Sequence, residues 1–395
     1  MASPVVLAPM AGITNAAFRQ LCREQSEGPG SRDDEVGGVE RDPQRAERAI
    51  QHGLFVCEMI TSRGVVERDP KTLSMLQFDP GETVRSVQLY GVDPEIMGRA
   101  AEILCEEHGV GHIDLNFGCP VPKVTRKGGG AALPWKRDLL GAILRSVVNR
   151  AGRYGIPVTM KTRIGIDDHH QTYLDAGRIA EESGCAAIAL HGRTAQQAYA
   201  GNADWTAIAK LKESVSIPVL GNGDIWEASD ALRMMSETGA DGVVVGRGCL
   251  GRPWLFRDLT DGFAGRQTQV LPALGEVAAM IRRHAELLVG LQGDSEAGER
   301  RGLTDLRKHM AWYLKGFPVG GDIRRSLAMI STFAELDASL ALLDPNQPFP
   351  VTELGSPRGR QGSPKNKVAL PEHWLDDTSG CDLDLADAEV GVSGG

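Results

Sequence analysis

Short apolar, β-branched runs recur through the first 250 residues: Val5–Ala8, Leu54–Cys57, Ser86–Leu89, His112–Asn116, Pro157–Lys161, Ala186–His191, Ile217–Gly221 and Gly242–Gly246. Amphipathic stretches separate them, at 94–108, 137–150, 172–183, 204–213 and 226–237. Asp93-Pro94 and Asp204-Trp205 read as helix starts. Strands that are apolar along their whole length suit a parallel sheet covered on both faces. Eight alternating β and α units predict an α/β fold, a (β/α)8 TIM barrel.

The rhythm breaks in three places. Residues 26–52 are polar, glycine-rich and highly charged, and fall between the first helix and the second strand. Loops there lie at the barrel floor, away from the catalytic face, so the segment reads as a tolerated, partly disordered insertion. From about 271 the strand pattern stops, and helical periodicity runs through 276–291, 303–315 and 323–342. Beyond Asp344 the composition turns to Pro, Gly, Ser and charge. The expected organisation is a catalytic barrel at 1–270, a small all-α module at 271–343 and a disordered, flexible acidic tail at 344–395, in which only Pro371–Leu375 is suited to dock locally.

Composition sharpens this picture. No run of about 18 apolar residues exists, so no membrane span is expected. The N-terminus lacks the charged-then-apolar pattern of a secretory signal. Seven cysteines, at 22, 57, 105, 119, 185, 249 and 381, form no close pairs. They suggest a reducing cytoplasm rather than a disulfide framework or a Cys-x-x-Cys metal site. The net charge of −9 argues against a nucleic-acid partner until its distribution is considered. Residues 372–395 hold seven acids and no Lys or Arg, and without them 43 bases face 45 acids. Residues 300–325 hold seven bases against Asp305 and Asp322. That excess fits a phosphate footprint or, more blandly, a solvated helix face.

In such a barrel the reactive groups follow the C-terminal ends of the strands. Found there are Pro9, Met10 and Ala11, then Gln88, Asn116, Cys119, Lys161, His191 with Arg193, Asn222-Gly223-Asp224 and Gly246-Arg247. Small residues after strands seven and eight let backbone N–H groups approach a phosphate, and Arg247 can add charge-assisted bonds. Two ordinary glycine turns are the alternative. Gly246-x-Gly248-x-x-Gly251 imitates a dinucleotide fingerprint, but no further strand with a terminal acid follows. Lys161 and His191 would stabilise negative charge in the mouth; a lysine reaching solvent and a hydrogen-bonded histidine would look the same in sequence. Asp167, Asp168, His169 and His170 are contiguous and lack ligand spacing, so no metal is expected. Cys119 lies on a loop that continues through Lys123, Arg126, Lys127 and three glycines, basic and able to move. The other six cysteines read as inert core residues.

Taken in order, these residues carry a family likeness. Val6-Leu-Ala-Pro-Met-Ala-Gly-Ile-Thr14, Gln88-Leu-Tyr-Gly91, Asn116-Phe-Gly-Cys-Pro120, Met160-Lys-Thr-Arg163, His191-Gly-Arg193, Gly221-Asn-Gly-Asp-Ile225 and Gly246-Arg247 resemble the tRNA-dihydrouridine synthases. The likeness is nearest to the bacterial B-type branch and runs from about residue 5 to 342, including Arg307-Lys-His-Met-Ala-Trp-Tyr-Leu-Lys-Gly316.

The resemblance implies FMN at the barrel mouth, NADPH as reductant and a helical domain that grips tRNA, with D-loop uridines reduced to 5,6-dihydrouridine. Carried over, Pro9, Met10 and Ala11 border the flavin ring, and Gln88, Lys161 and His191 contact it. Asn222, Gly223, Asp224, Gly246 and Arg247 hold the phosphate end. Asn116 lies near both ring and uracil, and Cys119 is the proton donor to C5 once hydride from flavin N5 reaches C6. Thiols, with an ordinary pKa near 8.5, are protonated at neutral pH yet acidic enough to transfer the proton. Lys123, Arg126, Arg193, Arg307, Lys308, Lys315, Arg324 and Arg325 are the expected tRNA contacts. Two departures stand out: the first strand begins almost at the N-terminus, and 26–52 has no recognisable counterpart. The rival readings are an FMN barrel acting on a free pyrimidine, and a tRNA-binding protein with a vestigial flavin site.

Overall fold

The computed structural model describes residues 3–27, 53–364 and 367–379. Eight strands close into one parallel barrel in sequence order: β1 (Val5–Leu7), β2 (Leu54–Thr61), β3 (Ser86–Tyr90), β4 (His112–Phe117), β5 (Val158–Arg163), β6 (Ala187–His191), β7 (Val219–Asn222) and β8 (Gly242–Val245). Closure sets Val6 of β1 beside Leu54 of β2 on one side and Val244 of β8 on the other. The TIM barrel expected from the alternation is the fold observed. Both helix starts read from sequence are present: Asp93 caps the N–H groups of Glu95 and Ile96 ahead of the helix Pro94–Glu107, and Asp204 caps Thr206 ahead of Trp205–Ser214.

The barrel has two apolar layers. The larger lies between strands and helices, where Leu89, Leu115, Met160, Leu190 and Val243 meet helix residues such as Leu104 and Leu140. The smaller lies inside the barrel and is made by Val6, Ala8, Val56, Ala189, Leu220 and Val244. Those come from β1 and the residue after it, and from β2, β6, β7 and β8. The β3–β5 side of the interior is polar instead, and the site is built on that asymmetry.

Four helices follow the barrel: Leu274–Gly290, Glu296–Tyr313, Gly321–Leu327 and Phe333–Leu340. The helical stretch expected over 323–342 is broken, because Thr332 and Glu335 form a capping box that starts a new helix at Phe333. The apolar core of this module also takes in Ala17 and Trp254, so it packs on the helix after β1 and the turn after β8. The approach is close: a side-chain carbon on Gly251 (φ +65°) would lie 2.2 Å from the Trp312 carbonyl carbon.

The flexible tail expected from 344 onward is corrected over 344–364 and 367–379. Phe349 packs edge-on against Phe317, and the Pro345 carbonyl accepts the Gly275 N–H. Phe349, Arg358, Val368 and Trp374 are all buried. The composition of this stretch is polar on average, but the few large side chains that decide its placement are spaced along it and each enters the body of the protein. The expected insertion is described only as far as Glu27, where the first helix ends; residues 28–52, like 380–395, lie outside the described residues. Among the described residues no helix is long and apolar enough to cross a membrane.

Candidate active site

Strand β4 places His112, Asp114 and Asn116 at every second position, all on the interior face. Each is buried; His112 and Asp114 find partners on both β3 and β5, and Asn116 on β3 and in the loop that follows β4. The Asp114 carboxylate accepts from the Thr159 hydroxyl (2.6 Å) and the Gln88 amide (2.7 Å). Because the Thr159 proton is spent on Asp114, His112 Nε2 must donate to Thr159 Oγ1 (3.0 Å), which leaves Nδ1 to accept from Ser86 (2.7 Å). Burial holds the His112 imidazole below its ordinary pKa. On the other side of Asp114, the Gln88 carbonyl accepts from Asn116 Nδ2 (2.9 Å). Asn116 Oδ1 then accepts the backbone N–H groups of Gly118 (3.0 Å) and Cys119 (2.9 Å). A continuous hydrogen-bonded chain therefore runs from Ser86 inside the barrel to the backbone of Cys119 at its mouth. Sequence reading found Gln88, Asn116 and Cys119 but missed His112, Asp114 and Thr159; the period of two along β4 was the available signal.

A fourth missed residue holds the same loop from the opposite side. The buried Arg163 guanidinium, at the end of β5, donates to Gly118 O (2.8 Å), Thr194 O (3.1 Å) and Ala198 O (2.9 Å). It ties the Cys119 loop to the loop after β6. Register places Lys161 of β5 beside Asn116 of β4, and Arg163 beside His191 of β6. Burial, and secondarily the Arg163 charge, lowers the Lys161 ammonium to about 7. The His191 imidazole is pushed well below its ordinary value by burial and then by Arg163 and Lys161. Its Nε2 is buried with no hydrogen-bond partner among the described residues. Cationic Lys161, Arg163, Arg193 and Arg247 converge here, so the field in the mouth favours an anion.

The remaining wall is formed after β7, β8 and β1. Asn222 donates its amide to Val244 O (2.7 Å), fixing β7 on β8. Gly223 takes φ +123°, and a side-chain carbon there would lie 3.1 Å from the His191 ring. Asp224 follows with φ +56°, rare for a side-chain-bearing residue. Its carboxylate accepts from Arg193 (2.9 Å) and the Ala203 N–H (2.7 Å). Arg247 lies over the rings of Tyr199 (4.7 Å) and Trp226 (4.9 Å), 3.6 Å from Asp224. Gly246 faces Ala8 and Met10, which brings the loop after β1 to this wall. Tyr199, Asp224, Trp226 and Arg247 line a cavity of about 670 Å³ here, with Pro357 and Gln361 as its outer wall.

The family model for dihydrouridine synthases matches residues 6–346. The chain belongs to the dihydrouridine synthase family. A relative from Mycobacterium tuberculosis named a probable tRNA-dihydrouridine synthase is 55% identical over 382 residues, covering 96% of this chain and 92% of its own. One of the same name from Mycobacterium leprae is 53% identical over 392 residues, 99% of this chain and all of its own. A tRNA-dihydrouridine synthase B from Xanthomonas axonopodis pv. citri is 34% identical over 342 residues, 87% of this chain and 92% of its own. The family match ends before the anchors Phe349, Arg358, Val368 and Trp374, whereas the M. leprae alignment extends over them.

In this family member the basic residues of the helical module divide into two groups. Arg307 donates to Ile330 O, Met329 O and Ser331 Oγ, and Arg324 to Leu314 O, Phe317 O and Val319 O. Lys315 contacts Ser356, Pro357 O and Glu353. Arg307 and Arg324 tie turns of the module together, and Lys315 ties the module to the segment that follows it. Arg193, expected to meet substrate, is likewise buried and holds Ala200 O, Gly201 O and Asp224. Arg325 pairs with Asp322 in solvent, and Arg126 and Lys123 are exposed on the loop after Cys119. Lys308 is exposed and pairs with Asp305, which also accepts from Asn15 near the β1 loop. Arg300 and Arg301 stand on the same exposed face as Lys308, beside a shallow cavity of about 500 Å³ that Thr304 and Asp305 also line. Among the described residues no group of His, Cys, Asp and Glu is arranged to hold a metal ion.

Proposed function

We propose that the chain is an FMN-dependent tRNA-dihydrouridine synthase that reduces D-loop uridines to 5,6-dihydrouridine with NADPH as reductant. The observation that carries this reading is the hydrogen-bonded chain that ends on the backbone of Cys119, beside half-buried Lys161 and buried His191. The residues present fit a flavin nucleotide. His191 offers a buried nitrogen without a protein partner among the described residues, Gly246 leaves backbone open to close approach, and Arg247 supplies a charge held between two rings. Asn222, Gly223, Asp224, Gly246 and Arg247 would hold the phosphate end, Asp224 by its backbone because its carboxylate is spent on Arg193. Pro9, Met10, Ala11, Gln88, Lys161 and His191 would surround the ring. When bound, the flavin supplies the hydride that uracil C6 accepts.

The chain's own part is the proton. Reduction of the C5=C6 bond places a hydride on C6 and negative charge over C5 and O4. Cys119 Sγ gives its proton to C5, and the resulting thiolate takes one back from solvent before the next turnover. Asn116 fixes the direction of approach by gripping two N–H groups of the Cys119 loop. Lys161, lowered to about 7, gains a proton readily when negative charge develops nearby. The target base must leave its stack to enter the mouth. The exposed Arg300, Arg301 and Lys308 face, tied to the β1 loop through Asp305 and Asn15, supports a nucleic-acid substrate over a free pyrimidine.

The test is purified protein with unmodified tRNA and NADPH, followed by mapping of dihydrouridine by mass spectrometry and identification of the released flavin. Dihydrouridine at a D-loop position and FMN are the expected results. Reduction of free uracil but not tRNA would overturn the substrate, and FAD would overturn the cofactor.

A further inference from the structure

The arm at 355–379 touches the mouth of the barrel at both ends. At the first, buried Arg358 donates to Leu250 O (3.2 Å) and Trp312 O (3.0 Å), and Arg247 donates to Arg360 O (2.8 Å). Farther along, Val368 enters an apolar cluster with Ile166 and Ala195, from the loops after β5 and β6. At the second end Trp374 is buried against the loop after β4, and its indole N–H donates to Ala132 O (3.0 Å). Lys136 reaches over the Trp374 ring to Asp377 O (2.6 Å), and the Arg137 N–H donates to Thr378 O (2.9 Å).

What lies under Trp374 is the run Gly128-Gly129-Gly130. A side-chain carbon on Gly128 (φ +78°) would fall 2.4 Å from the indole ring, so ring and backbone are in direct contact. A carbon on Gly130 (φ +55°) would fall 2.5 Å from Cys119 O and 3.2 Å from Cys119 Cβ. The Ala131 N–H donates to that same Cys119 carbonyl (3.1 Å). Three consecutive glycines have little conformational preference of their own, so their shape must be imposed from outside. Asn116 and Arg163 hold the loop at Gly118 and Cys119, and Trp374 holds the glycine run beyond them.

We propose that Trp374 is a positioning residue for Cys119: the arm straps across the mouth, the indole sets the Gly128–Gly130 backbone, and that backbone sets the thiol against uracil C5. The proposal rests on the reading of Cys119 as proton donor. Its experiment compares full-length wild type, Trp374→Ala, Trp374→Phe and Cys119→Ala by hydrogen–deuterium exchange of the 119–132 peptides and by turnover. In Trp374→Ala, exchange over 119–132 should accelerate. The kcat for dihydrouridine should fall on the order of 10–100-fold, the effect of a displaced reacting group. The KM for tRNA, flavin content and NADPH oxidation without tRNA should not change. Trp374→Phe, which keeps a ring and loses the bond to Ala132, should fall between the two. If Trp374→Ala does not accumulate as folded protein, Trp374→Phe carries the test through faster exchange confined to 119–132. Unchanged exchange, or faster exchange with unchanged kcat, overturns the proposal. Full turnover in Cys119→Ala overturns the thiol's role instead, and loop exchange still reports separately on Trp374.

Discussion

Cys119 is held by backbone bonds on both sides, which makes its side chain removable without disturbing the loop. Replacing it with Ala should leave flavin binding and reduction by NADPH intact while dihydrouridine formation falls on the order of 10²–10⁴-fold, the loss expected for a positioned general acid. Near-normal turnover would remove the thiol from the reaction. Lys161 gives a second test, read in pH. Its value of about 7 in the folded protein lies below the ordinary 10.4, so between those values the unfolded chain binds the extra proton and stability rises with pH. The penalty is complete below 7 and gone above about 10.4. Lys161→Met, compared with wild type as flavin-free protein, should gain most in urea midpoint at pH 6.5, and the gap should close towards pH 10. A gap independent of pH would show that Lys161 is not desolvated in solution.

Among the strands, β4 matters most, because its alternate residues connect β3, β5 and the Cys119 loop. Asp114→Asn makes a sharp probe: an amide has one acceptor oxygen where the carboxylate has two, so it cannot serve both Thr159 and Gln88 in place. The loss of one bond to a charged group should cost about 1.5–3 kcal/mol in denaturant unfolding, with lower kcat as Gln88 and Asn116 lose their alignment. Wild-type stability together with wild-type kcat would mean the chain is not coupled as the geometry indicates. How much of this was legible in sequence follows from distance along the chain. The ends of β3 to β8 and the mouth residues after them were readable, since apolar runs and the turns that follow are local signals. His112, Asp114 and Thr159 were not recognised, because their meaning depends on cross-strand register, which brings 114 beside 88 and 159. Arg307, Lys315 and Arg324 were read as phosphate contacts without their partners within the protein, for a related reason. A charge count finds cations but does not show the carbonyls they already serve.

At the scale of the whole molecule, the helical module's apolar core takes in Ala17 and Trp254 of the barrel, and the exposed Arg300, Arg301 and Lys308 face lies beside the β1 loop. Neutralising two of these three should raise the KM for tRNA while flavin content stays constant. Each phosphate deprived of its cation should flatten the dependence of log K on log[salt] by a slope of about 0.7–0.9. Unchanged affinity with an unchanged slope would leave this face as ordinary solvated surface. Apart from the local docking expected at Pro371–Leu375, the anchors at Phe349, Arg358 and Val368 depart furthest from what the sequence led one to expect, because a few anchors in a polar stretch leave no periodicity.

The arm has a consequence for the order in which the molecule is made. Trp374 is polymerised 255 residues after Cys119, so at translation rates of about 5–20 residues per second the thiol's loop exists for roughly 13–50 s before the indole that fixes it has been added. β1 likewise waits for β8 before its outer edge is paired. If Cys119 and Trp374 act as proposed, a nascent chain can finish its barrel and carry the thiol on an unsecured glycine loop, open to oxidants and slow to deliver its proton. Completion of the arm, near the end of translation, is then what secures the loop in each new molecule.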